Sequence, residues 1–249
     1  MGTIFELKEK VGFITLNNPI RHNSLTVQDI TKVRSVLREW KNVNLSALIL
    51  TGRGKSFCSG LFIGELEKRK WDENPISALC DDIESFPAPT ICALNGNVYG
   101  GAVEIALACD FRIADITILL GVPAAKIGIQ YECKGISRVL SSLGSSCTKR
   151  IFLLAETIDY SSLSKTNFID FWVEDSENVL VKAGDLANEI SKNAPLAVNG
   201  MKKIIVELMQ GSLDENAAAE EVKNCFDSQD HLEALLARRE KRKPNFRGL

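Results

Sequence analysis

The chain of 249 residues has a formal net charge of −2, with 45% hydrophobic and 25% charged residues. This length suits one compact domain, with or without an appendage. The small net charge gives no electrostatic reason to bind nucleic acid or an anionic membrane. The first residues include charged side chains from Glu6 onward and no apolar segment, which argues against a secretory signal. We therefore expect a cytoplasmic protein.

Cysteine and histidine are placed without any metal-binding spacing. The seven cysteines are scattered with no CxxC pair, and the two histidines, His22 and His231, form no HExxH motif. A zinc site is therefore not expected. The thiols are interpreted as small buried hydrophobic groups in a reducing compartment.

Strand and helix patterns alternate over the first part of the chain. Residues 11–18 (VGFITLNN) read as a strand, and residues 26–41 place Ile30, Val33, Leu37 and Trp40 at helical spacing after a capping box of Thr26 and Asp29. Short apolar runs at 46–52 and 90–96 predict buried strands, and residues 76–86 predict a helix between them. This alternation predicts an α/β layered core.

Strand patterns end near residue 176, and four helical patterns follow. They cover residues 176–193, 195–209, 214–226 and 228–241. We therefore divide the chain into a core, 1–190, and a C-terminal helical region, 191–249.

Two glycine-containing loops follow buried strands. In the second, GNVYGGAVE, Gly100 and Gly101 precede an apolar helical pattern, yet neither GxGxxG nor GxxxxGK[ST] is present. Glycines there would let a ligand oxygen approach free main-chain N–H groups. The first loop, residues 52–66, could supply a second N–H donor, which is the geometry of an oxyanion hole.

Glu104 follows these glycines within the first turn of an otherwise apolar helix. One interpretation is a solvent-facing acid that complements the helix dipole. The other is a desolvated carboxylate whose pKa is raised into a range useful for proton transfer.

Several segments resemble the crotonase (enoyl-CoA hydratase/isomerase) superfamily. They are NNPIRHNSLT, LILTGRGKSFCSGLFIGEL, PAPTICALNGNVYGGAVEIALACDFRIA and EKRKPNF, and they span nearly the whole chain. The resemblance implies a spiral core of ββα units, a C-terminal helical trimerisation region, and a homotrimer or dimer of trimers. It also implies acyl-CoA thioester substrates, with coenzyme A as part of the substrate and no other cofactor.

The same resemblance implies site residues. The oxyanion donors would be the main-chain N–H groups of Leu61 and Gly101. Arg21 and Lys241 would contact coenzyme A, Lys241 by reaching the ligand of a neighbouring subunit. The remaining substrate-binding positions are Ser59, Gly60, Ile63 and Gly100.

The catalytic positions depart from the family pattern. Glu104 matches the first of two catalytic glutamates, but Ala124 stands at the second, and alanine cannot exchange a proton. The following loop, GIQYECKGISRV, places Tyr131 and Glu132 where the family has Pro and Gly. Tyr131 is predicted either to act in catalysis or to pack as an ordinary aromatic residue, and Glu132 could replace the absent carboxylate.

Three functions remain open on the sequence. Enoyl-CoA hydration or isomerisation by Glu104 is the leading hypothesis. Decarboxylation of a malonyl-type substrate is the alternative, because Ala102 and Tyr131 resemble the methylmalonyl-CoA decarboxylase subfamily, although that subfamily has His at the position of Leu61. A catalytically weak acyl-CoA-binding member is the third. A nicotinamide-dependent oxidoreductase is disfavoured by the missing dinucleotide motif.

Overall fold

The computed structural model describes residues 2–68 and 71–249. Its strands are β1 Ile4–Lys8, β2 Val11–Leu16, β3 Ala47–Gly52, β4 Ser56–Cys58, β5 Thr90–Leu94, β6 Asn97–Tyr99, β7 Phe111–Asp115, β8 Leu120–Gly121, β9 Thr157–Ile158 and β10 Phe171–Val173. Its α-helices are α1 Val27–Trp40, α2 Ile63–Lys68, α3 Pro75–Glu84, α4 Ala102–Ala108, α5 Cys133–Leu153, α6 Tyr160–Leu163, α7 Ser176–Ser191, α8 Pro195–Gln210, α9 Glu215–Phe226 and α10 Gln229–Glu240. Short 3₁₀ segments cover Pro19–Arg21 and Pro123–Ile127.

The strands form two sheets that the chain visits in turn. The larger sheet has the order β1-β2-β3-β5-β7-β10, and the smaller has the order β4-β6-β8-β9. Apart from the antiparallel pairs β1–β2 and β8–β9, neighbouring strands are parallel. Each of β3, β5 and β7 is followed by a strand of the smaller sheet and then by helix. This repeated ββα order is the predicted spiral core.

Both faces of the larger sheet are buried, which explains the continuous apolar sequence of its central strands. Along β3, Leu48 and Leu50 belong to the main core, while Ala47 and Ile49 belong to a second cluster on the opposite face. Side chains of successive strand residues point to opposite faces, so one strand serves both cores. Helix α7 covers the second face with Val179, Ala183 and Ala187.

The predicted details of α1 are confirmed. The Thr26 side chain accepts from the Asp29 amide at 3.1 Å, and the Asp29 carboxylate accepts from the Thr26 amide at 3.0 Å. The four residues predicted to face the core, Ile30, Val33, Leu37 and Trp40, are buried. The capping box therefore fixes the start of the helix and its apolar stripe fixes the orientation.

The helices that follow the core pack against it through α7 and α8. Lys202 of α8 is buried, and its Nζ lies 2.6 Å from Asp110 Oδ2 and 3.0 Å from the carbonyl oxygen of Ala88. The division at residue 190 remains a prediction. Among residues 2–68 and 71–249, no helix combines the length and the apolar character that crossing a bilayer requires.

The cysteines differ in part from the expectation of burial. Five are buried, but Cys133 at the start of α5 is exposed and Cys225 is partly exposed. Cys133 is the first residue of α5 and is accessible to solvent there, so the prediction of seven buried thiols was wrong at these two positions.

Candidate active site

The loop between β3 and β4 is shaped by one buried side chain. Asn23 is 1% exposed, and its Nδ2 donates to the carbonyl oxygens of Arg53, Ser56 and Phe57 at 2.8–3.0 Å. Its Oδ1 accepts from the Asn18 amide at 2.8 Å. A single side-chain amide thus ties the loop residue Arg53 to the start of β4.

The end of this loop leaves one amide free. The Leu25 amide donates to Gly60 O at 2.9 Å, and the Phe62 amide donates to Leu25 O at 2.8 Å. In this parallel bridge the intervening residue, Leu61, points its own N–H away from Leu25. Within the described part of the chain, the Leu61 amide has no hydrogen-bond partner.

The second glycine loop leaves a similar amide free. Gly100 has a φ of +57° and donates its N–H to Gly121 O at 2.9 Å. Gly101 is the N-cap residue of α4, and its carbonyl accepts from the Ile105 amide at 3.2 Å. Among residues 2–68 and 71–249, no partner is found for the N–H of Gly101.

Gly60 brings the two loops into contact. It has a φ of +83°, and a Cβ built on it would lie 2.6 Å from the Gly101 nitrogen and 3.2 Å from the Tyr99 carbonyl oxygen. Only glycine allows this approach, because any side chain would occupy the space beside the Gly101 amide. The two free amides therefore belong to loops that touch at Gly60.

Glu104 lies one helical turn beyond Gly101 and is only 5% exposed. Burial raises the pKa of its carboxyl group above the ordinary glutamate value, whereas the neighbouring Tyr131 hydroxyl and the Arg138 guanidinium lower it. The prediction of a desolvated carboxylate with a raised pKa is confirmed, and the alternative of a solvent-facing acid is wrong.

Tyr131 combines features of both interpretations made for it. Its ring packs against Phe152, with the ring centroids 4.9 Å apart. Its hydroxyl is buried, has no hydrogen-bond partner in the described residues, and faces the Glu104 carboxylate. Burial, and then the charge of Glu104, raise the pKa of Tyr131. The hydroxyl is therefore a protonated, unsatisfied donor beside Glu104.

Two residues of α5 beside Glu104 were missed in the sequence. A Cβ built on Gly135 would lie 2.6 Å from the Glu104 carboxyl carbon. Arg138, three residues later, places Nη1 at 3.5 Å from Glu104 Oε2. Neither a glycine nor an arginine inside a helical pattern signals a contact with Glu104, so no sign of this arrangement was available in the sequence.

The positions considered for a second carboxylate are not equivalent. Ala124 is 8% exposed within the 3₁₀ segment Pro123–Ile127. Glu132 is exposed at the N-cap of α5, where its side chain makes no capping hydrogen bond. Its charge acts on Glu104 only by raising the pKa of that group.

Residues predicted to bind coenzyme A fall into two places. The Arg21 guanidinium lies 4.8 Å from the ring centroid of Phe62, and Ser59 Oγ donates to the Arg21 carbonyl at 3.5 Å. Ile63, 57% exposed, begins α2 beside them. Lys241 caps α10, and no contact in the described residues joins it to this cluster. In those residues, no group of three or more His, Cys, Asp and Glu side chains is placed to hold a metal ion.

Solved structures with the same fold define the class of the protein. An enoyl-CoA hydratase from Bacillus anthracis superposes with a TM-score of 0.87 and 27% identity over 100% of both chains. An enoyl-CoA hydratase/isomerase from Mycobacterium paratuberculosis gives 0.87 and 26%, covering 100% of this chain and 99% of that one. The fold is that of the crotonase superfamily.

Sequence comparison makes the assignment more specific. The family model described as enoyl-CoA hydratase/isomerase matches residues 6–248. The short-chain-enoyl-CoA hydratase of Clostridium acetobutylicum is 32% identical over 251 residues, covering 97% of this chain and 96% of the relative. The mitochondrial methylglutaconyl-CoA hydratase of Homo sapiens is 30% identical, with coverages of 97% and 75%. The chain belongs to the enoyl-CoA hydratase/isomerase family and is an enzyme of the enoyl-CoA hydratase type.

Proposed function

We propose that the protein hydrates or isomerises enoyl-CoA thioesters through an enolate bound between the amides of Leu61 and Gly101. One observation supports this most directly. Neither amide has a partner in the described residues, and the two loops that contain them touch at Gly60. Gly101 lies one helical turn before the buried Glu104.

The two amides would act on the thioester oxygen. As a nucleophile adds to the β-carbon, or a proton leaves the acyl chain, electrons move onto this oxygen. Donors fixed in place stabilise the new charge without having to reorganise, and one such donor contributes about 10²–10³-fold to the rate. Because the donors are main-chain groups, the leucine side chain at position 61 is compatible with this role.

Glu104 would transfer the proton. In hydration, its carboxylate accepts a proton from water while the hydroxyl group bonds to the β-carbon, and it then returns the same proton to the α-carbon. This sequence needs one carboxylate, which suits a site with Ala124 at the other position. The Tyr131 hydroxyl is an unsatisfied donor beside Glu104 and would orient the water.

The test is turnover of crotonyl-CoA, followed by loss of the enoyl absorbance. Glu104→Gln keeps the side-chain volume but cannot take the proton, so we expect kcat to fall about 10²–10⁴-fold. Glu220→Gln is the matched control, since this glutamate lies at an exposed position of α9, and it should retain activity. Full turnover by the Glu104 variant would contradict the proposal.

Decarboxylation of a malonyl-type thioester is the second candidate, favoured by Ala124. Loss of carbon dioxide leaves the bonding electrons as the enolate, so the amides suffice and a second carboxylate is not needed. The Tyr131 hydroxyl would then hold the substrate carboxylate. Release of carbon dioxide from methylmalonyl-CoA, without hydration of crotonyl-CoA, would select this function.

We also propose that Arg21 contacts the coenzyme A part of the substrate and that Lys241 does so in a neighbouring subunit. The remaining substrate-binding or coenzyme A-binding positions are Ser59, Gly60, Ile63 and Gly100. Association is supported by exposed apolar side chains on the C-terminal helices; they include Met201, Ile205, Leu208, Met209, Phe226, Leu232, Leu235 and Leu236. Sedimentation equilibrium would distinguish a monomer, a trimer and a dimer of trimers.

A further inference from the structure

We propose that Arg138 is a positioning residue that holds the Glu104 carboxylate in its reactive orientation through a fixed charge. The inference rests on the proposed role of Glu104 as the group that transfers the proton. Arg138 is the only arginine or lysine that the described residues place within ion-pair distance of Glu104.

The guanidinium of Arg138 is held from one side. Its Nε donates to Glu84 Oε1 at 2.7 Å, and its Nη2 donates to Asp81 Oδ1 at 2.7 Å and to Glu84 Oε2 at 3.0 Å. Because the guanidinium group is planar and rigid, fixing two of its nitrogens fixes the third. The direction of Nη1 is therefore set by residues of α3.

The third nitrogen, Nη1, is directed towards the site. It is buried without a hydrogen-bond partner in the described residues, and it lies 3.5 Å from Glu104 Oε2. The side chains of Arg138 and Glu104 are only 11% and 7% exposed. At this distance in a poorly solvated place, the positive charge lowers the pKa of the carboxyl group.

The same face of α5 makes room for the carboxylate. Gly135 is buried, and a Cβ on it would lie 2.6 Å from both the carboxyl carbon and Oε2 of Glu104. One turn later, Arg138 supplies the charge. Helix α5 thus provides both space for the Glu104 carboxylate, at Gly135, and a cation beside it, at Arg138. This arrangement would be a coincidence if Arg138 only joined α5 to α3.

The other titratable groups facing Glu104 do not replace this charge. Tyr131, Glu132 and the buried thiol of Cys80 interact with Glu104, and of these only the Tyr131 hydroxyl lowers the pKa of the carboxyl group. Burial raises the pKa of Glu104, and the charge of Arg138 lowers it. Without Arg138, Glu104 would remain protonated to a higher pH and would be a poorer base.

The experiment compares Arg138→Gln, Arg138→Lys and the wild type. In each, the pH dependence of kcat/KM with crotonyl-CoA is measured, and the Glu104 carboxyl is titrated by ¹³C NMR after labelling of glutamate Cδ, with Glu104→Gln to assign the signal. We expect the acid limb and the Glu104 titration of Arg138→Gln to move to higher pH by about one unit. Arg138→Lys retains the charge but not the planar guanidinium group, so its acid limb and its Glu104 titration should lie between those of the wild type and of Arg138→Gln.

Arg150→Gln is the matched control, because this arginine lies in α5 beyond the non-helical Gly144 and pairs with Glu156 at 2.6 Å instead. It should leave the acid limb in place. A purely structural role for Arg138 would lower the melting temperature and the active fraction of its variants without moving either curve, and that result would overturn the proposal.

Two further outcomes are also decisive. If Arg138→Gln does not fold, Arg138→Met, which also removes the charge, takes its place, and an unshifted Glu104 titration in that variant rejects the inference. If the wild type fails to hydrate any enoyl-CoA, the proposed function fails, yet the NMR titration still shows whether Arg138 controls Glu104.

Discussion

Gly60 is the position at which one added methyl group should disturb the two free amides. In Gly60→Ala, the new Cβ would lie 2.6 Å from the Gly101 nitrogen at a φ of +83°. Loss of one aligned donor predicts a fall in kcat/KM of about 10²-fold or more.

The control for this variant is Gly211→Ala. Gly211 also has a positive φ, +67°, but nothing lies within 4 Å of its added Cβ. Gly211→Ala should lose about 1–2 kcal/mol from backbone strain, measured by urea unfolding, and Gly60→Ala should lose more, because its Cβ also overlaps the Gly101 nitrogen. Wild-type kcat/KM in Gly60→Ala would contradict the role given to the two amides.

Glu104 should lower the stability of the fold that it serves. Its folded-state pKa is raised, chiefly by burial, so its contribution to stability is fully present below the ordinary glutamate pKa and is lost as pH rises through the raised value. Glutamine does not titrate. We therefore expect Glu104→Gln to melt at a higher temperature than the wild type at pH 8.

This difference in melting temperature should disappear as the pH falls towards 4, where the wild-type carboxyl group becomes neutral. Melting curves recorded across this range provide the measurement. Glu220→Gln, at an exposed position of α9, should show no such trend. A variant that is less stable than the wild type at pH 8 would show that Arg138 more than compensates the burial of the charge.

The residue scale also shows what the sequence could reveal about the site. Burial of Glu104 follows from the apolar residues on either side of it, because such a helix has little surface to give to water. Arg138 gave no comparable signal. A single arginine in a long helix resembles a solvated side chain, and its partner Glu84 lies 54 positions away on another element.

At the scale of the element, α5 is shaped around Glu104. Replacing glycine by alanine inside a helix normally stabilises it by about 0.5–1 kcal/mol. In Gly135→Ala, however, the Cβ would overlap the Glu104 carboxyl group. We expect a loss of about 10²-fold in kcat from displacement of that group, measured with crotonyl-CoA.

Gly184→Ala in α7 provides the comparison, because nothing lies within 4 Å of a Cβ at that position. This variant should gain stability and retain activity. If Gly135→Ala behaves in the same way, Glu104 has more room than the structure shows.

Strands and helices with a clear repeating pattern of apolar residues were predictable from the sequence, and very short strands were not. The strand β3 and the helix α1 follow from an apolar run and from apolar residues at helical spacing. By contrast, β4, β6 and β8 contain two or three residues each, which is too short for any period. They exist because they pair with one another, so the second sheet could be expected only from the family resemblance.

At the scale of the whole molecule, an ion pair made by the buried Lys202 attaches the C-terminal helices to the core. Lys202 Nζ contacts Asp110 Oδ2 at 2.6 Å and Ala88 O at 3.0 Å, and the Asp110 carboxylate also accepts from the Thr90 amide. Lys202→Ala leaves that carboxylate without its cation. We expect the free energy of unfolding to fall by about 2 kcal/mol or more.

Hydrogen exchange would locate the effect of this variant, with faster exchange expected in α8. Lys203→Ala is the control: Lys203 pairs with Glu221 at the surface, and such pairs contribute about 0–1 kcal/mol. Equal losses in the two variants would mean that the pair of Lys202 and Asp110 does not anchor the helix.

A hydrogen-bond donor site built from peptide N–H groups is encoded by the path of the chain and not by the chemistry of its side chains. The amino acid at position 61 can therefore drift among many types while the N–H stays in place, whereas the neighbouring Gly60 cannot. Enzymes of this kind can diverge widely in amino-acid sequence and keep the same reactive site. A search that compares only catalytic side chains would overlook them.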